Sequence, residues 1–155
     1  MNPKSTLIIS SCLLGIPCRY DGKHNALSEE NIKKIAEKFV VIPVCPEQLG
    51  TLPTPRIPAE IQLDGRIVNA EGEDVSDHFY AGAEAAYRIA EINHCRCALM
   101  KADSPSCGNK EVYNGSFKDI LVPGKGITVK LFEKHQIKVY NETEIETLIG
   151  ENLHV

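Results

Sequence analysis

Short apolar runs alternate with stretches of helical spacing along almost the whole chain, and that alternation restricts the fold more than any other feature. Residues 6–11, 40–44, 95–100 and 137–140 read as strands. Between the first two, Ser28 is placed to cap a helix that carries Ile32, Ile35, Ala36 and Phe39 on one face. A second helix starts near Asp74 or Ser76, shows Phe79, Ala83, Ala86, Tyr87 and Ala90 on one side, and ends near His94. Residues 126–135 form a third, and Asn141 with Glu144 three residues later forms a capping box for a last one through Ile145, Leu148 and Ile149. Two insertions interrupt the order: a hairpin over 61–70 turning at Asp64-Gly65, and a short one around Asn114-Gly115. Strands alternating with helices give a mostly parallel sheet covered on both faces. The expected fold is therefore α/β, a single three-layer Rossmann-like domain over 1–155 with small hairpin insertions, and 155 residues suffice for one such core.

In an open parallel sheet, ligands bind at the carboxyl ends of the strands. Three cysteines follow the first three strands there: Cys12 in SSCLLG, Cys45 in PVCPE and Cys107 in SPSCG. Singly, each could be a small buried hydrophobe. Together they form a trio of thiolates able to hold a metal or cluster with one position open. Zinc with three ligands and water fits this pattern, and so does an iron–sulfur cluster. Cys18 lies in the first loop, as a fourth ligand or, on the favoured reading, a bystander near the rim; Cys95 and Cys97 fall at the amino end of strand three, as core or lower-rim residues on one strand face. No CxxC pair occurs.

The loop after strand two, CPEQLGTLPTPRIPAEI, has four prolines that disfavour regular structure over most of it. So stiff and long a loop is usually functional. It supplies Glu47, a candidate general base, and Arg56, a candidate for binding a substrate oxygen. Arg19 in the first loop and Lys101 after strand three are further candidate substrate contacts, as is Ser106; Ser104 is a candidate proton handler. His24, His78, His94, His135 and His154 share no metal-ligand spacing and read as surface or structural. GxSxG, GxGxxG and P-loop motifs are absent, which removes the usual signatures of serine hydrolases and nucleotide binders. A net charge of −4 argues against a nucleic-acid or anionic-membrane partner. With no targeting segment or long apolar span in view, the expected compartment is the cytoplasm, where cysteines stay reduced or metal-bound.

The blocks SSCLLGIPCRYDGKHN, VCPEQLGTLPTPRIPAEIQ, GEDVSDHF, MKADSPSCG and GKGITVKLFEKHQIKV resemble, in order, those of the DUF523 family, which includes thiouracil desulfurases. The resemblance implies a 4Fe–4S cluster held by Cys12, Cys45 and Cys107 with one iron open. It implies non-redox desulfuration of a thiolated pyrimidine, 2-thiouracil or a related base or nucleoside, to uracil and sulfide; on the reading of the residues themselves, Glu47 and Ser104 are the expected proton handlers. A zinc or iron protein without turnover, serving as a metal or sulfur carrier, is the alternative. One departure stands out: the family often has paired glycines after the CPE block, whereas here Gly50 is followed by Thr51.

Overall fold

In the computed structural model, which describes residues 3–150, four parallel strands form the central sheet: β1 (Ser5–Ser10), β2 (Phe39–Val44), β5 (Cys97–Leu99) and β8 (Lys138–Tyr140). Their spatial order is β2-β1-β5-β8. The chain steps to one side of β1 to make β2, then crosses to its other side to make β5. That reversal opens a crevice at the carboxyl ends beside β1, where doubly wound sheets bind ligands.

Alternation along the strands sorts the core into two layers. Leu7 and Ile9 of β1, with Cys97 and Leu99 of β5, pack beneath α1 (Glu29–Lys38) and α5 (Ile145–Gly150), against Ile35 and Leu148. Ile8, Ala98 and Met100 face the other way, onto Ala86 and Ala90 of α3 (Ser76–Ile92) and Phe132 of α4 (Ile127–Lys134). The three-layer expectation therefore holds. So do both helix caps. Ser28 accepts the Asn31 amide at 3.2 Å, and Glu144 reaches back to the Asn141 amide at 3.1 Å. Phe39, read as the end of α1, instead opens β2 opposite Ser5 while burying its ring in the same core.

Three local expectations change. Cys95 precedes β5 rather than belonging to it, so it packs on the α3 side while Cys97 packs on the α1 side. The shared face expected of the CxC holds only within a strand. The second hairpin, β6 (Glu111–Tyr113) with β7 (Leu121–Pro123), closes through residues 114–120 rather than a tight turn at Asn114-Gly115. The first hairpin is as expected but starts earlier, β3 (Ala59–Ile61) pairing with β4 (Ile67–Asn69).

Finally, the proline-rich loop opens with a one-turn helix, α2 (Pro46–Leu49), because Pro46 occupies its first position, where proline's fixed φ and missing amide are harmless. This turn is pressed onto α3. A Cβ on Gly50 would lie 1.9 Å from the His78 carbonyl oxygen, and one on Gly82 1.9 Å from that of Pro46. Thr51 then takes φ +69°, a left-handed conformation that a β-branched residue seldom adopts and a second glycine would accept freely. Its hydroxyl donates to the Gly50 carbonyl at 2.6 Å, which helps to hold it there. Among the described residues, no helix is long and apolar enough to cross a membrane.

Candidate functional site

A cavity of about 940 Å³ opens over the carboxyl ends of β1, β2 and β5 and is lined by Cys12, Cys18, Cys45 and Cys107. Each of the three expected ligands arrives on a different loop. Cys12 sits in a 3-10 turn (Ser11–Leu14) directly after β1, and its carbonyl accepts the Gly15 and Asn25 amides, folding the first loop back over it. Cys45 is the residue that caps α2. Cys107 lies in a turn organised by Ser104, whose Oγ accepts the Ser106 and Cys107 amides at 3.0 and 2.9 Å. The same turn offers the Pro105 and Ser106 carbonyls to the Ile127 and Thr128 amides, so the cysteine loop and the start of α4 satisfy each other's backbone.

The sulfurs are embedded in hydrogen bonds. The Cys18 side chain bonds both Cys12 and Cys45; this lowers the Cys12 thiol to about 7, lowers that of Cys45, and raises that of Cys18 itself. Two of the trio also have a donor of their own, the Asn25 side chain on Cys12 and the Gln48 amide on Cys45; Ser10, close to Cys107, donates its hydroxyl to Met100 Sδ at 3.7 Å. Burial pushes the Cys107 thiol well up. The Asn25 amide is oriented by Arg19, whose Nη1 donates to Asn25 Oδ1 at 3.0 Å and so turns the amide nitrogen towards Cys12. Asp21 holds Arg19 in turn through two bonds, at 3.0 and 2.5 Å.

The other expected site residues divide. Glu47, Arg19, Arg56, Lys101 and Ser104 all line the cavity. Glu47 is largely enclosed; burial pushes its carboxyl up against the pull of Arg56, whose Nη2 stands 3.6 Å from Oε2. Arg56 also donates to the Cys18 carbonyl at 3.0 Å and to Thr54 Oγ1 at 3.2 Å, joining the proline-rich loop to the first. Lys101 meets Glu142 at 2.6 Å. All three cations thus have internal partners. Ser106 does not reach the cavity: it is fully buried, its hydroxyl 2.7 Å from that of Thr128, so the expected substrate contact there gives way to a packing role.

Among the histidines, His78 lines the cavity, but Nδ1 donates to the Gly50 carbonyl at 2.8 Å, a structural role. His24 accepts the Ala26 amide, and His135 stacks on Tyr87. His154 lies outside the described residues. Sequence reasoning missed Ser10, which accepts the Lys101 amide at 2.9 Å, Asn25, whose side chain bonds Cys12, and Glu142, which holds both Lys101 and the Ala102 amide. Only the position of Ser10 at a strand end could have flagged it; the partners of the other two are set by tertiary contacts.

Among the described residues, no three His, Cys, Asp or Glu groups converge tightly enough to hold a single metal ion. Cys12, Cys45 and Cys107 instead reach one cavity from three separate loops. That suits a polynuclear cluster, in which each ligand serves its own iron, better than one zinc.

Comparison with known proteins agrees with this geometry. A solved structure of TudS, a 4Fe–4S-dependent thiouracil desulfidase, matches with a TM-score of 0.89 at 39% sequence identity, covering 94% of this chain and 95% of that one. The protein YbbK of Bacillus subtilis (strain 168) is 37% identical over 152 residues, which cover 92% of this chain and 99% of YbbK. The family described as 2-thiouracil desulfurase matches residues 7–144. With both the sequence blocks and the fold accounted for, this chain belongs to the 2-thiouracil desulfurase family.

Proposed function

We propose that this protein holds a 4Fe–4S cluster on Cys12, Cys45 and Cys107 and removes sulfur hydrolytically from a small thiolated pyrimidine, giving uracil and sulfide from 2-thiouracil. The observation that carries the reading is the set of three cysteines that reach one cavity from separate loops at the carboxyl ends of the strands. When bound, the cluster supplies a sulfur-loving Lewis acid that polarises the C–S bond.

The rest falls to side chains. One water replaces one sulfur, and its two protons leave with the sulfide, so a group that moves protons must face the cavity. Glu47 is that group: its carboxyl is enclosed on the cavity wall and held near Arg56. Ser104 keeps its O–H free to donate into the cavity while its oxygen accepts two amides, and it fixes the Cys107 turn by doing so. Arg56 orients Glu47 and the proline-rich loop rather than meeting substrate first. The mostly apolar lining strengthens each of these polar interactions.

The test is iron and acid-labile sulfide content, a visible spectrum and 2-thiouracil turnover on protein purified without oxygen. About four irons per chain with matching sulfide, and release of sulfide from 2-thiouracil, is the expected result. One zinc with no sulfide would replace this reading with that of a metal carrier.

A further inference from the structure

The loop of residues 114–120 hangs over the same cavity, and its backbone is unusual. Phe117 and Asp119 both take φ +59°. A bulky L residue adopts the left-handed region only when its surroundings impose it, and such residues gather at ligand clamps. Here the imposing group is Glu60 of β3, a carboxylate only 8% exposed. Its Oε1 accepts the Gly115 amide at 2.9 Å and the Phe117 amide at 3.2 Å. Gln62 adds a bond to the Gly115 carbonyl at 3.2 Å, and Gly115 lies so close to β3 that a Cβ there would stand 2.9 Å from the Ile61 carbonyl oxygen.

The effect is to fix the backbone of Phe117 while its ring lines the cavity and remains 37% exposed. A phenylalanine more than a third exposed at a cavity wall, on a backbone held in a strained conformation by a buried carboxyl group, is placed to meet a ligand. Tyr20, the other exposed aromatic on this wall, is engaged otherwise, with the Arg19 guanidinium 5.7 Å from its ring centre. We infer that Phe117 is the face on which the pyrimidine ring of the substrate stacks, and that Glu60 is the positioning residue that presents it. This rests on the desulfurase reading and adds a specificity residue to it. Stacking is tolerant of the sulfur's position on the ring, so Phe117 would hold 2-thio and 4-thio pyrimidines alike.

The experiment uses anaerobically reconstituted protein, with steady-state turnover of 2-thiouracil and calorimetric titration with uracil. Phe117→Ala should raise KM for 2-thiouracil and Kd for uracil by about tenfold. It should leave kcat within about twofold and iron content unchanged. Phe117→Tyr should restore both constants. Glu60→Gln, which keeps an acceptor oxygen, should stay near the wild type in KM, whereas Glu60→Ala should reproduce the KM rise of Phe117→Ala. An active wild type with unaltered KM and Kd in Phe117→Ala would overturn the stacking role alone. A loss confined to kcat would overturn it as well. Wild-type protein that loads a cluster yet neither turns over 2-thiouracil nor binds uracil would overturn the desulfurase reading together with it.

Discussion

The six cysteines of this chain occupy two ends of one sheet, and the two ends treat the same side chain in opposite ways. At the carboxyl end, Cys12, Cys18, Cys45 and Cys107 line a cavity, share hydrogen bonds, and include two thiols whose proton affinity is lowered. At the amino end, Cys95 and Cys97 are packed among aliphatic side chains on either side of the sheet, and burial raises the Cys95 thiol. Residue type is constant; what differs is the loop geometry that parallel topology creates at one end only. A thiol packed into the core at the amino end serves as a small hydrophobe, whereas thiols brought together over one cavity at the carboxyl end are placed to meet a ligand.

The sharpest way to break this contrast is to truncate cysteines at each end. Cys12→Ala, Cys45→Ala and Cys107→Ala should each lose the cluster and with it all desulfuration, read as iron per chain. Cys97→Ala should lower stability by about 1 kcal/mol in denaturant titration and keep full iron. Iron lost in Cys97→Ala but kept in Cys107→Ala would invert the assignment. A smaller effect tests whether the donors matter. Asn25→Leu should load a cluster that releases iron to a chelator about tenfold faster under anaerobic conditions. Arg19→Met should move the same rate in the same direction by less, because it only frees the amide to rotate. Equal release from all three proteins would reduce Asn25 to a loop residue.

The smallest effect concerns a carboxylate at the carboxyl end that is remote from the thiols. Burial raises Glu144, but its bonds from Asn109 and Asn141 outweigh this and hold the carboxyl below its ordinary range. A folded-state value below the unfolded one means the stabilisation is complete above the usual carboxylate range and disappears as pH falls through the folded value. Glu144→Gln should therefore cost about 0.5–1 kcal/mol near neutrality, flatten the acid limb of the stability profile and leave iron untouched. Lost iron would mean that the capping box also supports the site.

Much of this was legible in the sequence, and the reasons are specific. Strand and helix order followed from period and caps, which are local: Ser28 and Glu144 make the bonds their spacing implies. The cysteine trio was legible because the loops that carry it leave the same edge of a parallel sheet. The roles of Arg19, Arg56 and Ser106 were not, since each depends on a partner distant in sequence or in a fold of the loop that spacing does not reveal. The departure at Thr51 was visible as a residue difference, but its meaning as a left-handed position needed the backbone.

The close contact of Gly50 with His78 and of Gly82 with Pro46 makes two positions, far apart in the chain, one genetic locus. Neither can take even a methyl group while the other's neighbours stay where they are, so no single-step path leads away from the pair. In a saturation library selected for sulfur release, both codons would stay fixed while the exposed positions around them drift, although neither residue has a side chain with which to touch the substrate. The placement of Glu47 is thereby inherited from the surface of a helix whose own sequence begins almost thirty residues later.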